Sequence, residues 1–324
     1  MVFSHHSHSG QFCRHAVGSL ESMVAEAARK GFKMYSLTEH CPRWRDQDLY
    51  PEEIEANVTP LDLEATFEAF LSEAQRLKQL YANNGRSEME ILVGMETEHI
   101  YEEDLPLLQT VIDRNRDKLD FLVGSVHHSD GHPIDFSKER FDEAVQWYAT
   151  TSVLTQSGGE ERVDESAAAL SKLLESYFHA QRRLMEALHP EVIGHFALPL
   201  LFTPTTLLAS HSTAYALAMG NIRYAIAYGA LFELSSAPFR KGWDQGWPGE
   251  EVVRMIIEEG GRFCLSDDAH NVGQVGLNYH RLKEWMESVG VKREMVYRLH
   301  KPGDGPLQRI PIEEEDWKQI GNHS

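Results

Sequence analysis

The feature that most restricts the fold of this chain is a regular alternation of short apolar runs with longer amphipathic ones. Strand-like runs fall at Val2–His6, Lys33–Thr38, Glu90–Glu96, Phe121–Val126, Val192–Phe196, Leu231–Ser235 and Arg262–Ser266. Helical apolar spacing falls between them, over Leu20–Lys30, Leu61–Tyr81, Leu105–Asn115, Phe141–Thr150, Ala167–Leu188, most of Thr205–Tyr228 and Glu250–Gly260, with His280–Val289 last. Ser19 is the candidate cap of the first helix and Gly31 its stop. Asn83-Asn84-Gly85 ends the second helix, Thr155–Glu161 reads as an exposed loop, and the tail after Pro302 reads as irregular and charged. About seven strands alternating with helices is the signature of parallel βα units. Runs such as Ile91-Leu92-Val93 fit a sheet covered on both faces. No linker or internal repeat divides residues 1–324, so one α/β domain is expected.

What ends each strand is more informative still. The first ends in His6-Ser7-His8, the second in Glu39-His40, the third in Glu96, the fourth in His127-His128. The fifth ends in Gly194-His195 and the seventh in Asp267-Asp268-Ala269-His270. The sixth, Leu231–Ser235, has no His or acid at its very end and leads into Arg240-Lys241. In a closed βα barrel the C-terminal strand ends converge on one mouth, where catalytic residues gather. Histidines placed for packing would not choose that one position repeatedly. Residues two apart on a strand share a face, so His6 and His8 can offer two nitrogens to one ion. Ser residues interrupt the N-terminal histidines and a helix follows closely, unlike an added tag.

The donor set is nitrogen and carboxylate. It suits Zn, Fe or Mn and fits calcium or a structural zinc finger poorly. Cys13, Cys41 and Cys264 are odd in number and far apart, which argues against disulfides and against a cysteine-rich zinc site. The formal net charge of -19 disfavours non-specific binding to nucleic acid or anionic membrane. An anionic substrate remains compatible, because bound metal ions reverse the sign inside a cleft. No apolar run is long enough to span a bilayer and no secretory signal is evident, so a cytoplasmic location is expected. Oligomeric state is not readable.

Taken in order, these motifs resemble those of the polymerase and histidinol-phosphatase (PHP) superfamily, in its histidinol-phosphatase branch. They are His5-His6-Ser7-His8-Ser9-Gly10, Thr38-Glu39-His40-Cys41-Pro42-Arg43, Gly94-Met95-Glu96 and Gly124-Ser125-Val126-His127-His128. Val192-Ile193-Gly194-His195-Phe196, Arg240-Lys241-Gly242 and Leu265-Ser266-Asp267-Asp268-Ala269-His270 with Gln274-Val275-Gly276 follow. The resemblance implies a distorted (β/α)7 TIM-like barrel with two or three divalent ions, Zn, Mn or Fe, at its mouth. It implies one ion on His6, His8, Glu96 and Asp268, a second sharing Glu96 with His127 and His195, and a third on His15, His40 and His270. Arg43 and Arg240 are the guanidinium candidates for the phosphate, since Arg can engage it bidentately, with a surface ion pair to nearby acids as the alternative for Arg43. His128 stands behind the ligands or faces the substrate, and Glu96, Asp268 and His270 are the catalytic candidates, with Asp268 or a ligand His as proton donor. The implied reaction is hydrolysis of the small phosphate ester L-histidinol phosphate by a metal-bound hydroxide. Trp44 and the Trp243–Trp247 stretch are candidate walls of the pocket.

Some positions depart from the family pattern. Gln11 stands where an Asp is frequent, Ala197 where the family carries an acid, and Pro199-Leu200-Leu201 where a base is common. Leu234-Ser235-Ser236 replaces a more polar triplet. The implied ligands all survive, so these changes bear on the substrate rather than on metal. Two rival readings follow: a phosphoesterase of the same family acting on another small ester, and a metal-loaded paralogue without turnover.

Overall fold

The computed structural model describes residues 2–83, 89–155 and 165–322. The first half carries β1 (Phe3–Ser4), α1 (Leu20–Arg29), β2 (Met34–His40), α2 (Pro51–Glu55), α3 (Pro60–Asn83), β3 (Glu90–Glu96) and α4 (Asp104–Arg114). β4 (Phe121–Gly124), a small hairpin of β5 (His128–Ser129) and β6 (His132–Pro133), α5 (Lys138–Thr155) and α6 (Glu165–Leu188) follow. Next come β7 (Val192–Ile193), α7 (Ser212–Tyr228), β8 (Leu231–Ser235), α8 (Ala237–Arg240), α9 (Glu250–Glu258) and β9 (Arg262–Ser266). The chain ends with α10 (Tyr279–Ser288), β10 (Tyr297–His300), β11 (Gln308–Pro311) and α11 (Glu314–Ile320).

Seven parallel strands form one sheet in the order β1-β2-β3-β4-β7-β8-β9. The sheet closes on itself. His5 N–H donates to the Leu265 carbonyl at 3.0 Å, and His8 N–H to that of Ala269 at 2.8 Å. The expected α/β barrel is therefore present, with β2, β3 and β8 buried almost throughout. Burial on both faces explains why these strands read as apolar runs without alternation. Gly94 permits the close approach of β2, β3 and β4: a Cβ there would stand 2.7 Å from the Phe121 ring and 2.9 Å from the Thr38 methyl.

Local signals account for several boundaries. Ser19 accepts from Ser22 N–H at 3.2 Å and starts α1; Gly31, at φ +74°, ends it. The turn between β5 and β6 is Asp130-Gly131, both at positive φ, the dipeptide that favours a two-residue hairpin loop. The expected stop at Asn83-Asn84-Gly85 and the loop at Thr155–Glu161 lie largely outside the described residues.

The tail differs from expectation. It is not irregular: β10 and β11 pair antiparallel, and Ile312 and Ile320 are buried. Tertiary partners hold it in place. The Leu299 N–H donates to His5 Nε2 at 3.0 Å, and Glu90 takes His300 Nδ1 at 2.8 Å and the Lys301 N–H at 2.7 Å. Short strands rich in charge and flanked by Pro302 and Gly303 carry too little apolar pattern to be recognised alone.

Candidate metal centre

The strand ends deliver their side chains to one point. His6 and His8 follow β1, His40 ends β2, Glu96 ends β3, and His127, His195, Asp268 and His270 come just after β4, β7 and β9. Strand alternation turns His5 the other way: its Nδ1 lies 2.9 Å from the Leu265 carbonyl. Burial pushes His5 down to about 4, so it is a neutral structural residue.

His6 Nε2 and His8 Nε2 face each other at 3.1 Å, and each is 3.3 Å from a Glu96 oxygen. Asp268 Oδ1 stands 3.9 Å and 3.8 Å from the same two nitrogens. The outer nitrogens are already committed. His6 Nδ1 meets Glu233 Oε1 at 2.9 Å and His8 Nδ1 meets Glu39 Oε2 at 3.2 Å. An ionised carboxylate only accepts, so each Nδ1 carries the hydrogen and each Nε2 a lone pair. Two lone pairs this close require a cation between or upon them. Two nitrogens on one tetrahedral ion at about 2.0–2.1 Å stand about 3.3 Å apart, close to the spacing seen.

Without metal the cation is a proton. Burial opposes charging of these rings, but Glu96 and Glu233 outweigh it and raise His6 well above its ordinary value. Hydrogen bonds to Glu39 and Glu96 likewise overcome burial and raise His8 to about 9. His127 is raised by Glu96 and Glu98 against the same opposition. In turn Glu96, although buried, is held well below the usual carboxylate range by His6, His127 and His40. Burial pushes His40 down despite Glu96, and His270 down to about 3 despite Asp268.

Glu96 also joins the second implied set. Its Oε1 lies 2.9 Å from His195 Nε2 and 3.2 Å from His127 Nε2, while Oε2 lies 2.8 Å from His40 Nδ1. His127 Nδ1 donates to Glu98 Oε2 at 2.9 Å. The third implied set is looser. The rings of His15 and His270 are 5.1 Å apart and those of His15 and His40 5.4 Å. His15 Nδ1 donates to Glu52 at 2.9 Å, and His270 Nδ1 to the Asp268 carbonyl at 2.9 Å. This arrangement fits metal ions: imidazoles whose outer nitrogens are held by acids or carbonyls present the inner ones in fixed orientation. His40 Nε2 and His195 Nδ1 are buried and have no hydrogen-bond partner among the described residues.

Three expected substrate contacts are placed otherwise. Arg43 is buried in an ion pair with Glu53 and lies 3.8 Å over the Tyr50 ring, outside the lining of the main cavity. Arg240 holds the backbone, donating to the carbonyls of Asp267 and, at 2.8 Å, of Asp268. His128 donates to Glu98 at 3.1 Å and lines a separate groove with His99 and Trp147. Two residues missed from the sequence belong to the site. Glu233 sits inside β8 rather than at its end, and it also accepts the His195 N–H at 2.6 Å. Cys13 Sγ lies 3.1 Å from His15 Nε2, in a group with His15 and His270 able to hold an ion. The backbone is left-handed at His195, Ala197 and Asp268, a local strain typical of functional sites.

The ligand cluster floors a cavity of about 270 Å³. Tyr50, Phe136, Leu198, Leu201 and Trp247 form apolar walls, and Lys241 and Asp135 add charge. Trp247 is fixed there by its Nε1–H to the Phe196 carbonyl at 3.0 Å, and Trp243 packs on it outside. Leu201 thus occupies the wall where a base was expected.

Residues 4–237 match the PHP domain model. The chain belongs to the PHP domain family. It is 38% identical over 99% of its length to a protein of Schizosaccharomyces pombe named "Probable histidinol-phosphatase", covering 97% of that protein. It is 31% identical to the histidinol-phosphatase of Saccharomyces cerevisiae, covering 89% of each chain. Among solved structures, a Lactococcus lactis histidinol phosphate phosphatase complexed with zinc, L-histidinol and phosphate aligns with a TM-score of 0.58. That alignment covers 90% of this chain and 94% of the other at 13% identity. A Listeria monocytogenes structure aligns with a TM-score of 0.65 at 19% identity, over 86% and 98%. Both structures share this PHP-type barrel.

Proposed function

We propose that the mouth of this PHP barrel holds two or three divalent ions and that the phosphate of L-histidinol phosphate is cleaved over them. The chain is a phosphomonoesterase of the histidinol-phosphatase type, releasing L-histidinol and phosphate. The observation that carries the site assignment is the pair of opposed lone pairs on His6 and His8, 3.1 Å apart over Glu96. One set of ligands is His6, His8, Glu96 and Asp268, a second is Glu96, His127 and His195, and a third draws on His15, His40 and His270. When bound, such ions polarise the phosphoryl oxygens and lower the pKa of water toward ~7.

The protein's own groups do the rest. Asp268 is held ionised, chiefly by His270, His6 and His8 against its burial, so it is suited to accept a hydrogen bond from water. Arg240, by gripping the carbonyls on either side of the Asp267–Asp268 link, keeps that carboxylate aimed at the cavity. Lys241 lines the cavity, and it can meet a phosphoryl oxygen as a point charge. The apolar walls exclude water from the ester. No helix among the described residues is long and apolar enough to cross a membrane, and we place the reaction in the cytoplasm.

The test is phosphate release from L-histidinol phosphate by protein loaded with Zn, Mn or Fe, with metal content measured on the same sample. Rapid release with two or three ions per chain is expected. Full metal loading without release from this ester would defeat the substrate assignment, and no stoichiometric metal would defeat the site.

A further inference from the structure

The three acids at the floor of the cavity, Glu96, Glu233 and Asp268, all face imidazoles. The fourth acid lining it, Asp135, is different. Among the described residues it makes no hydrogen bond or ion pair, although it is half-buried. Its position is not accidental to a loose loop. The chain leaves His127, turns at Asp130-Gly131 and returns, so that Ile134 N–H donates to the His127 carbonyl at 3.0 Å. Ile134 is fully buried and anchors the return. The turn is tight, since a Cβ at Gly131 would stand 2.4 Å from the Tyr101 hydroxyl. Asp135 is thereby carried to the cavity that His127 also lines.

The neighbourhood is aromatic. The rings of Tyr50 and Phe136 stack at 6.3 Å with an interplanar angle of 23°. Burial raises the Tyr50 phenol well above its ordinary value, and Asp135 is among the carboxylates that add to this against Arg43. The Tyr50 hydroxyl therefore stays protonated, and of the carboxylates that act on it, Glu98, Asp135 and Glu96, Asp135 makes no hydrogen bond or ion pair among the described residues. L-Histidinol phosphate carries its ammonium on the carbon next to the ester carbon, with an imidazole beyond. With the phosphate at the floor of so small a cavity, the ammonium must lie within it too.

We infer that Asp135 is the specificity-determining residue of this site: its carboxylate pairs with the substrate's ammonium and so selects an amino-alcohol phosphate over a neutral one. This rests on the phosphatase reading above. An unpaired carboxylate in a cavity costs free energy unless a cation joins it, and a charged hydrogen bond there discriminates strongly against a ligand that lacks the donor.

The experiment compares kcat/KM for L-histidinol phosphate with that for its analogue lacking the amino group, in wild type, Asp135→Asn and Asp135→Glu, on metal-loaded protein of measured metal content. Wild type should prefer the amine. Asp135→Asn should shrink that preference by on the order of 10- to 100-fold, mostly through KM, and Asp135→Glu should keep part of it. An unchanged preference in Asp135→Asn overturns the inference, as does an equal loss on both esters, which would mark a structural role. A wild type that hydrolyses neither ester would overturn the phosphatase reading itself, and this inference with it.

Discussion

His5 and His6 are neighbours on one strand, and they lead into two polar clusters of opposite character. On the tail side, His5, Glu90 and Asp120 are each matched among the described residues. His5 bridges the Leu265 carbonyl and the Leu299 N–H, Glu90 takes His300 and the Lys301 N–H, and Asp120 takes Lys78, Lys301 and the Val93 N–H. At the mouth, imidazole lone pairs converge and are left facing one another across Glu96. A buried polar network that is complete stabilises a fold, whereas one that lacks a cation is a binding site for it. Histidine content does not separate the two; hydrogen-bond completeness does.

The largest break in that contrast comes from Glu96→Ala. It removes the carboxylate that His6, His8, His40, His127 and His195 all approach. Turnover should fall by more than about 100-fold, the upper range for losing a mere outer partner of a ligand, and metal content should drop in elemental analysis. Retained metal with near-normal turnover would show that the ions are held elsewhere.

Acid should act next in size, and it should act with opposite causes at the two ends. In the metal-free protein His8 titrates at about 9, so at neutral pH a proton occupies the place an ion would take. Metal must displace it. Affinity should therefore fall by about tenfold per pH unit for each displaced proton as pH drops below 9, and calorimetry in buffers of different ionisation heat should register proton release. Raised His8 stabilises the metal-free fold fully below its unfolded value of 6.5, and that stability is lost as pH rises towards 9. Depressed His5 does the reverse: its contribution is present above 6.5 and is lost as pH falls to about 4. A metal-free unfolding curve without decline on both sides would refute the pairing.

A smaller effect is expected from the acids behind the ligands. Glu233→Gln keeps the shape but weakens the hold on His6 Nδ1 and on the His195 N–H. Metal affinity should fall by roughly 10- to 100-fold, read by competition with a chelator. Unaltered affinity would mean that Glu233 does not orient its ligand.

Much of this was legible in the chain because strand ends in a βα barrel share one mouth, so order along the sequence becomes proximity in space. That reasoning brings His6, His8, Glu96, His127, His195 and Asp268 together, while the choice of His6 over His5 and of His127 over His128 rests on position in the family motif. Strand ends alone do not reveal Glu233, which lies two residues before the end of β8 and by period-two spacing shares a face with Ser235. Spacing among the cysteines does not reveal Cys13, because its companions in space are histidines. The charge of Arg43 and Arg240 suits a phosphate, but their partners, Glu53 with Tyr50 and two backbone carbonyls, are set by tertiary packing that no spacing reveals. The hairpin that carries Asp135 is absent from that reading, although its Asp130-Gly131 turn is a dipeptide that favours a two-residue loop.

The least effect on turnover should come from His5→Ala, next door to a ligand. Strand pairing holds the backbone here, with His5 N–H on the Leu265 carbonyl independent of the side chain, so His6 and His8 should stay in register. Turnover per folded molecule should change by no more than about twofold. Stability should suffer instead, because the buried Leu299 N–H loses its acceptor, a loss of about 1–3 kcal/mol. Hydrogen exchange would localise the damage: faster exchange at β10 and β11, with little change at β2 and β3. Equal loosening of the mouth would mean that tail and metal cluster form one cooperative unit, and the division between a completed network and an open one would then be a difference of chemistry without a difference of mechanics.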